Sequence, residues 1–108
     1  MGENDFLTKT GMQLVMHGGD ARELIRKAIK TVADGDITEG KKIMEEANKE
    51  LIEGHRIQTK VLQLECEGQS QGYNILFCHG MDTLMTVKSE YEIAQMLITL
   101  EEARNEKK

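Results

Sequence analysis

Apolar and small side chains recur every three or four positions along the first third of the chain. They occupy Leu7, Gly11, Leu14, Val15, Gly18, Ala21, Ile25, Ala28, Ile29 and Val32. Residues with this spacing share one face of a helix, so the pattern predicts one long amphipathic helix that begins near Phe6. The pair Gly18-Gly19 in its middle weakens a helix by itself, which indicates close approach of another backbone or a local bend.

A second helix is predicted directly after a short turn. Gly35 suits the left-handed conformation that ends a helix, and Asp36 with Glu39 has the spacing of a capping box that begins one. The helical pattern continues through Ile37, Gly40, Met44, Ala47, Leu51, His55, Gln58 and Leu62. Its core-facing stripe is therefore expected to turn polar at His55 and Gln58. Because the turn is short, the two helices should be antiparallel neighbours.

A third helix follows the polar, glycine-flanked segment "EGQSQG" at residues 67–72, which predicts a loop. Helical spacing resumes from about Asn74 and continues through Leu84, Val87, Tyr91, Ala94 and Ile98. The chain is thus predicted to be an all-α, up-down-up three-helix bundle. Helices this long offer few inner positions for so many apolar side chains, so a homo-oligomer is expected to cover the remainder.

Length and charge exclude several classes of protein. The chain has 108 residues, which fits a single domain over residues 1–108, and its net charge of −5 is interleaved along the sequence, which argues against nucleic acid as a partner. No apolar run approaches a membrane span and the first residues lack a signal-peptide pattern, so we expect a cytoplasmic protein. Cys66 and Cys78 are expected to be buried thiols.

The candidate chemistry lies in "FCHGMDTLMT", residues 77–86, where a histidine and an aspartate interrupt an apolar or small run. On a helix, His79 and Asp82 stand one turn apart, with Thr83 and Thr86 close by. One interpretation is an interior histidine hydrogen-bonded to Asp82. Another is a nucleophilic imidazole that takes a phosphoryl group, for which Thr83, Thr86 and early backbone N–H groups would supply donors.

A zinc site is a third interpretation of the same segment. It would need further ligands at motif spacing, and the other two histidines, His17 and His55, lie on other predicted helices. The pattern therefore favours zinc least.

Three segments carry a family resemblance: "GGDAREL", "EEANKELIEGHRIQTKVLQLECEG" and "HGMDTLMT", in this order. At these distances they resemble the IIA component of the lactose/cellobiose (N,N′-diacetylchitobiose) class of the bacterial sugar phosphotransferase system, over residues 5–103. The resemblance implies a spectrin-repeat-like three-helix subunit that forms a homotrimer. It also implies that His79 takes a phosphoryl group from the phosphocarrier protein HPr and passes it to a cysteine of the IIB component.

The resemblance implies further site residues. Asp82 would lie on the three-fold axis, where three carboxylates share one Mg²⁺, since like charges at one point need a cation between them. His55, Gln58, Thr83 and Thr86 would support His79. Phe77, Met81 and Met85 would form the docking surface for the partner proteins. A IIA component does not bind the lactose- or cellobiose-type disaccharide itself, and it meets the membrane only through the IIC permease.

Two residues depart from the family pattern beside His79. Family members commonly have glutamine where this chain has Met81, and a second histidine where it has Thr83. The departures leave an alternative function open, namely a non-catalytic helical adaptor or regulatory trimer that has kept the fold.

Overall fold

Three α-helices make up the protein. The computed structural model describes residues 5–69 and 71–107; α1 spans Asp5–Ala33, α2 spans Ile37–Cys66 and α3 spans Ile75–Glu106. The helices run up, down and up in a bundle of about 60 × 23 × 17 Å, and the described residues contain no strand. The predicted all-α, three-helix fold is confirmed.

Gly35 and Asp36 form the turn between α1 and α2, and Asp36 takes part both in the end of α1 and in the start of α2. Gly35 has a φ of 106°, and its N–H donates to the Val32 carbonyl while the Asp36 N–H donates to the Thr31 carbonyl. This is a Schellman motif. Asp36 then caps α2, because its Oδ1 accepts from the Glu39 N–H at 3.0 Å. Only half of the predicted capping box forms, since the Asp36 N–H is already bonded within the turn.

The hydrophobic core runs along α1, which packs against both other helices, whereas α2 and α3 contact each other far less. The core comprises Leu7, Leu14, Ala21, Ile25, Ala28, Val32, Ile43, Met44, Ala47, Leu51, Val61, Phe77, Leu84, Val87, Ala94 and Ile98. Because α2 and α3 diverge, a groove lies between them, lined in part by His55, Lys88 and Tyr91. Partial burial raises the pKa of the Tyr91 hydroxyl, and the nearby charge of Glu45 adds to the rise.

The buried stripe of α2 differs from the predicted one. Leu51, Gly54 and Val61 are buried, whereas His55 and Leu62 are exposed. Gly54 faces α3 so closely that a Cβ atom there would lie 2.5 Å from Leu84 Cδ1. The expectation that His55 faces the core is therefore wrong, because a leucine from α3 fills the space that the glycine leaves.

Polar side chains also connect α1 to its neighbours. Arg22 donates to Glu90 of α3 through Nε and Nη2, at 2.9 and 3.0 Å, and this hydrogen bonding raises the pKa of the Arg22 guanidinium. His17 Nδ1 lies 2.8 Å from Glu50 Oε1 of α2. These pairs are partly exposed and fix the lateral register of the helices more than they add stability.

Both cysteines are free, but Cys66 is exposed at the end of α2 and Cys78 is only half-buried, so the expectation of buried thiols is wrong for Cys66. Over the described ranges, no helix is long and apolar enough to span a lipid bilayer.

Candidate functional site

The first turn of α3 is anchored by its capping residue. Asn74 Oδ1 accepts from the Phe77 N–H at 2.9 Å, and Asn74 Nδ2 donates to Thr8 Oγ1 of α1 at 3.0 Å. An asparagine at this position satisfies a backbone donor that the helix leaves unpaired. The same side chain thus begins α3 and fastens it to α1 at the start of the segment that carries His79.

His79 lies in the second turn of α3 and is exposed. Its carbonyl accepts from Thr83 Oγ1 at 2.8 Å, but its imidazole has no hydrogen-bonding partner among residues 5–69 and 71–107, and neither has the Asp82 carboxylate. The two side chains therefore do not form the interior pair that helical spacing alone suggested. The Thr83 hydroxyl proton is also already used, so Thr83 contacts His79 through the backbone and not through the ring.

Asp82 begins a run of exposed positions along α3 that are spaced alternately four and three residues apart. This run, termed the outer seam, consists of Asp82, Thr86, Ser89, Ile93, Met96 and Leu100. Its second half is apolar, and Ile93, Met96 and Leu100 are 53%, 59% and 67% exposed. An alternating four-three spacing is that of a helix packing against other helices in a coiled coil. His79 precedes Asp82 by three residues and therefore borders the same face.

The α2 residues predicted to support His79 lie at different levels. Gly54 contacts Leu84 in this antiparallel pair, so Gln58, one turn further along α2, lies level with the residue that follows His79. Gln58 is half-buried. His55 lies about a turn away from that level and lines the groove between α2 and α3. Of the two, Gln58 is closer to the level of the imidazole.

The three predicted docking residues differ in exposure. Phe77 is 7% exposed and belongs to the core, so its side chain is not available to a partner. Met81 is half-buried against that core. Met85 is 50% exposed. The docking prediction therefore does not extend to Phe77, whose position three residues before Gly80 places it on the α1-facing side of α3.

The backbone of α3 approaches the backbone of α1 closely beside His79. A Cβ atom on Gly80 would lie 2.6 Å from the Gly11 carbonyl oxygen. Sequence analysis missed this contact and the link between Asn74 and Thr8. An asparagine before a helical run and a glycine beside the histidine were visible in the sequence, but the parallel register of α1 and α3 that makes them meet their partners follows only from the fold.

The site therefore offers an exposed, unpaired imidazole on a rigid helix. A neutral imidazole has one unprotonated nitrogen, which makes it a nucleophile and a phosphoryl acceptor. No group of three His, Cys, Asp or Glu side chains in the described part of one chain could hold a metal ion. A cation at Asp82 would thus need carboxylates from other subunits, and carboxylate oxygens suit a hard ion such as Mg²⁺.

Comparison with known proteins gives one consistent family. The family described as "PTS system, Lactose/Cellobiose specific IIA subunit" matches residues 9–102. The chain is 32% identical over 90 residues to a lactose-specific EIIA component from Staphylococcus epidermidis, covering 83% of this chain and 86% of that protein. It is 30% identical over 105 residues to a lichenan-specific enzyme IIA component from Bacillus subtilis, covering 97% and 96%.

Two solved structures share the three-helix fold. The cellobiose-specific enzyme IIA from Bacillus anthracis superimposes with a TM-score of 0.86 at 27% identity, over 93% of this chain and 92% of that one. PtcA from S. mutans superimposes with a TM-score of 0.89 at 25% identity, over 94% and 99%. The similarity therefore covers nearly the whole chain, including the segment that carries His79.

Proposed function

This chain belongs to the lactose/cellobiose-specific IIA family of the sugar phosphotransferase system, and on that premise we propose that it carries phosphoryl groups from HPr to a IIB component through His79. In the first step the bond between phosphorus and HPr breaks while an unprotonated His79 nitrogen forms a bond to phosphorus. In the second step that bond breaks and the phosphoryl group passes to a cysteine sulfur of IIB. The imidazole is neutral again at the end, so the protein acts as a carrier.

The observation that carries the proposal is the exposure of an unpaired His79 imidazole within the family-matched residues. A carrier needs a nucleophile that two different proteins can reach in turn. A structural histidine would be expected to have a hydrogen-bonding partner within the protein, as the partly exposed His17 has in Glu50 at 2.8 Å. The His79 ring has no such partner among the described residues and is exposed.

Supporting roles follow from the positions of the neighbouring side chains. Gln58 is assigned to the phosphoryl oxygens, because it lies level with the residue after His79. Thr83 holds the His79 carbonyl at 2.8 Å, while His55 borders the site at the rim of the groove. Thr86 lies on the outer seam, where it would donate from an adjacent subunit.

The docking surface is proposed to centre on Met85, with Met81 at its inner edge. A flexible, polarisable methionine side chain adapts to more than one partner surface. That property suits a protein that binds HPr and IIB in turn. The proposal places these encounters in the cytoplasm, as expected from the sequence, with the disaccharide bound by other components.

A homotrimer is proposed from the outer seam together with the family resemblance. Packing of the outer seam against other subunits would explain why its large apolar side chains are exposed in a single subunit. The number of subunits, three, rests on the family resemblance. Asp82, at the start of the seam, would then meet two copies of itself around one Mg²⁺. The ion would neutralise the three carboxylates and hold the ends of the helices together.

The proposal is tested by incubating the protein with labelled phosphoenolpyruvate, enzyme I and HPr. One acid-labile, base-stable phosphoryl group per chain is expected, because phosphohistidine is the product, and His79→Gln should abolish it. His17→Gln is the matched control, since it removes a histidine whose ring pairs with Glu50 away from the site. Label that survives His79→Gln, or an equal loss of label in both variants, would reject His79 as the acceptor. No label on the unmutated protein would reject the carrier function and favour the adaptor alternative.

A further inference from the structure

Gly80, the residue after His79, lies at a close contact between the backbones of α1 and α3. A Cβ atom on Gly80 would lie 2.6 Å from the Gly11 carbonyl oxygen and 2.9 Å from Leu14 Cβ. A Cβ atom on Gly11 would lie 2.8 Å from backbone atoms of Leu76 and Phe77. Cβ atoms do not approach backbone atoms that closely, so the two helices keep this separation only because both positions are glycine.

The contact, and not a local preference for glycine, explains Gly80. Glycine weakens a helix relative to alanine wherever it stands in the interior. Gly19 of α1 has that disadvantage without compensation, because no atom of another helix lies within 4 Å of its Cβ position. At Gly80 the compensation is direct packing of one helix backbone on the other.

Two further contacts fix the same segment of α3. On one side of His79, Asn74 Nδ2 donates to Thr8 Oγ1 of α1 at 3.0 Å. On the other side, the Thr83 methyl Cγ2 packs over Gly18 of α1, 3.0 Å from where a Cβ would stand. The Thr83 hydroxyl is bonded to the His79 carbonyl. The backbone that carries the imidazole is therefore held against α1 before, at and after His79.

Resting on the proposed carrier function, we propose that Gly80 is a positioning residue for phosphoryl transfer. Its backbone contact with Gly11 sets the distance of the His79 turn from α1. The imidazole thereby stands at a fixed place relative to the rest of the surface on which the phosphoryl donor docks. Transfer requires the attacking nitrogen, the phosphorus and the leaving atom to lie in line, so displacement of the turn lowers the rate of transfer more than it weakens docking.

The test compares Gly80→Ala with the unmutated chain in transfer from phospho-HPr. The added methyl should push the turn away from Gly11, and kcat is expected to fall about tenfold while KM for phospho-HPr changes by less than about twofold. The ¹H–¹³C resonances of the His79 imidazole should shift in the variant, because its surroundings change.

Gly40→Ala is the matched control. Its Cβ would meet Val32 Cγ2 and the Ala28 carbonyl oxygen, the latter at 3.1 Å. It therefore also crowds a contact with α1, but at a place roughly 25 Å further along that helix. Assayed under conditions in which both variants are folded by circular dichroism, the control should keep the unmutated kcat and the unmutated His79 resonances.

The outcomes separate this role from the carrier function itself. Equal kcat values and equal His79 resonances in Gly80→Ala and Gly40→Ala would overturn the positioning role while leaving the carrier function intact. An unmutated chain that takes no phosphoryl group would instead overturn the carrier function. If Gly80→Ala does not fold, Gly18→Ala gives the same test in milder form, since its Cβ would lie 3.0 Å from the Thr83 methyl and no closer than 3.7 Å to the α3 backbone. Unchanged kcat and resonances there would overturn the role.

Discussion

The His79 imidazole and the Asp82 carboxylate lie one helical turn apart, yet each is exposed and neither pairs with the other in the described part of the chain. Partners outside the subunit best explain why two neighbouring polar side chains are exposed and make no hydrogen bond to each other. For His79 the proposed partners are two proteins in turn, and for Asp82 they are copies of itself. Two separate proposed roles thus replace the hydrogen-bonded pair that the spacing suggested.

Gly19 offers a prediction at the scale of one residue. Gly19→Ala should raise the free energy of unfolding by roughly 0.5–1 kcal/mol, because alanine is the better helix former and the Cβ position is open. Urea denaturation followed by circular dichroism measures the change. A loss of stability would show that the space beside Gly19 is filled in the assembled protein.

The residues that carry chemistry were easier to predict than their surroundings. His79 and Asp82 were conspicuous because they interrupt an apolar run, whereas the exposure of His55 and the burial of Phe77 depend on helix register. That register is set by glycines that pack without side chains, of which Gly54 against Leu84 is one case. Hydrophobic spacing treats glycine as neutral, so it does not locate such contacts.

Helix α3 carries apolar residues on two faces, and their two repeats overlap in the sequence. One stripe is the core, through Phe77, Leu84 and Val87, and the other is the exposed outer seam. Together they spread apolar residues around most of the helix, so no heptad repeat was evident in the sequence. Once the core residues are assigned, the alternating four-three spacing of the remainder becomes clear. The sequence therefore predicted the three helices and their leftover apolar surface but not which face carries it.

Met96 and Met16 provide a matched test of the outer seam. Both are methionines of similar exposure, 59% and 62%, but Met96 lies on the seam of α3 and Met16 lies on α1. Met96→Asp should dissociate the oligomer at micromolar concentration, because like charges would meet where the seams pack. Met16→Asp should leave the mass unchanged. Light scattering measures the molecular mass of each variant. Equal masses for the two variants would show that the subunits do not associate through the outer seam.

A single subunit leaves part of its apolar surface uncovered. α1 is packed on two sides, while α3 exposes one apolar face and a carboxylate at its start. Packing three such faces together would bury the apolar half of the seam and bring the Asp82 carboxylates to one point. The proposed trimer thus accounts for both features through one arrangement, with His79 at its edge and still accessible to HPr and IIB.

Asp82→Leu tests the cation separately from the assembly. Equilibrium dialysis against Mg²⁺ should show one ion per three unmutated chains and none for the variant, while light scattering should still give a trimer held by Ile93, Met96 and Leu100. Asp20→Leu, a change at an exposed aspartate of α1, should keep the ion. Binding that persists in Asp82→Leu, or an unmutated protein that binds no ion, would contradict the shared site.

Onward transfer tests the carrier function most directly, because a carrier must both accept and release. The protein is phosphorylated with ³²P, separated from HPr and mixed with a lactose/cellobiose-class IIB component. Label is expected to leave His79 and appear on IIB, and replacing the IIB cysteine with serine should prevent the transfer. Label that stays on this chain, or is released only as inorganic phosphate in the presence of intact IIB, would contradict it.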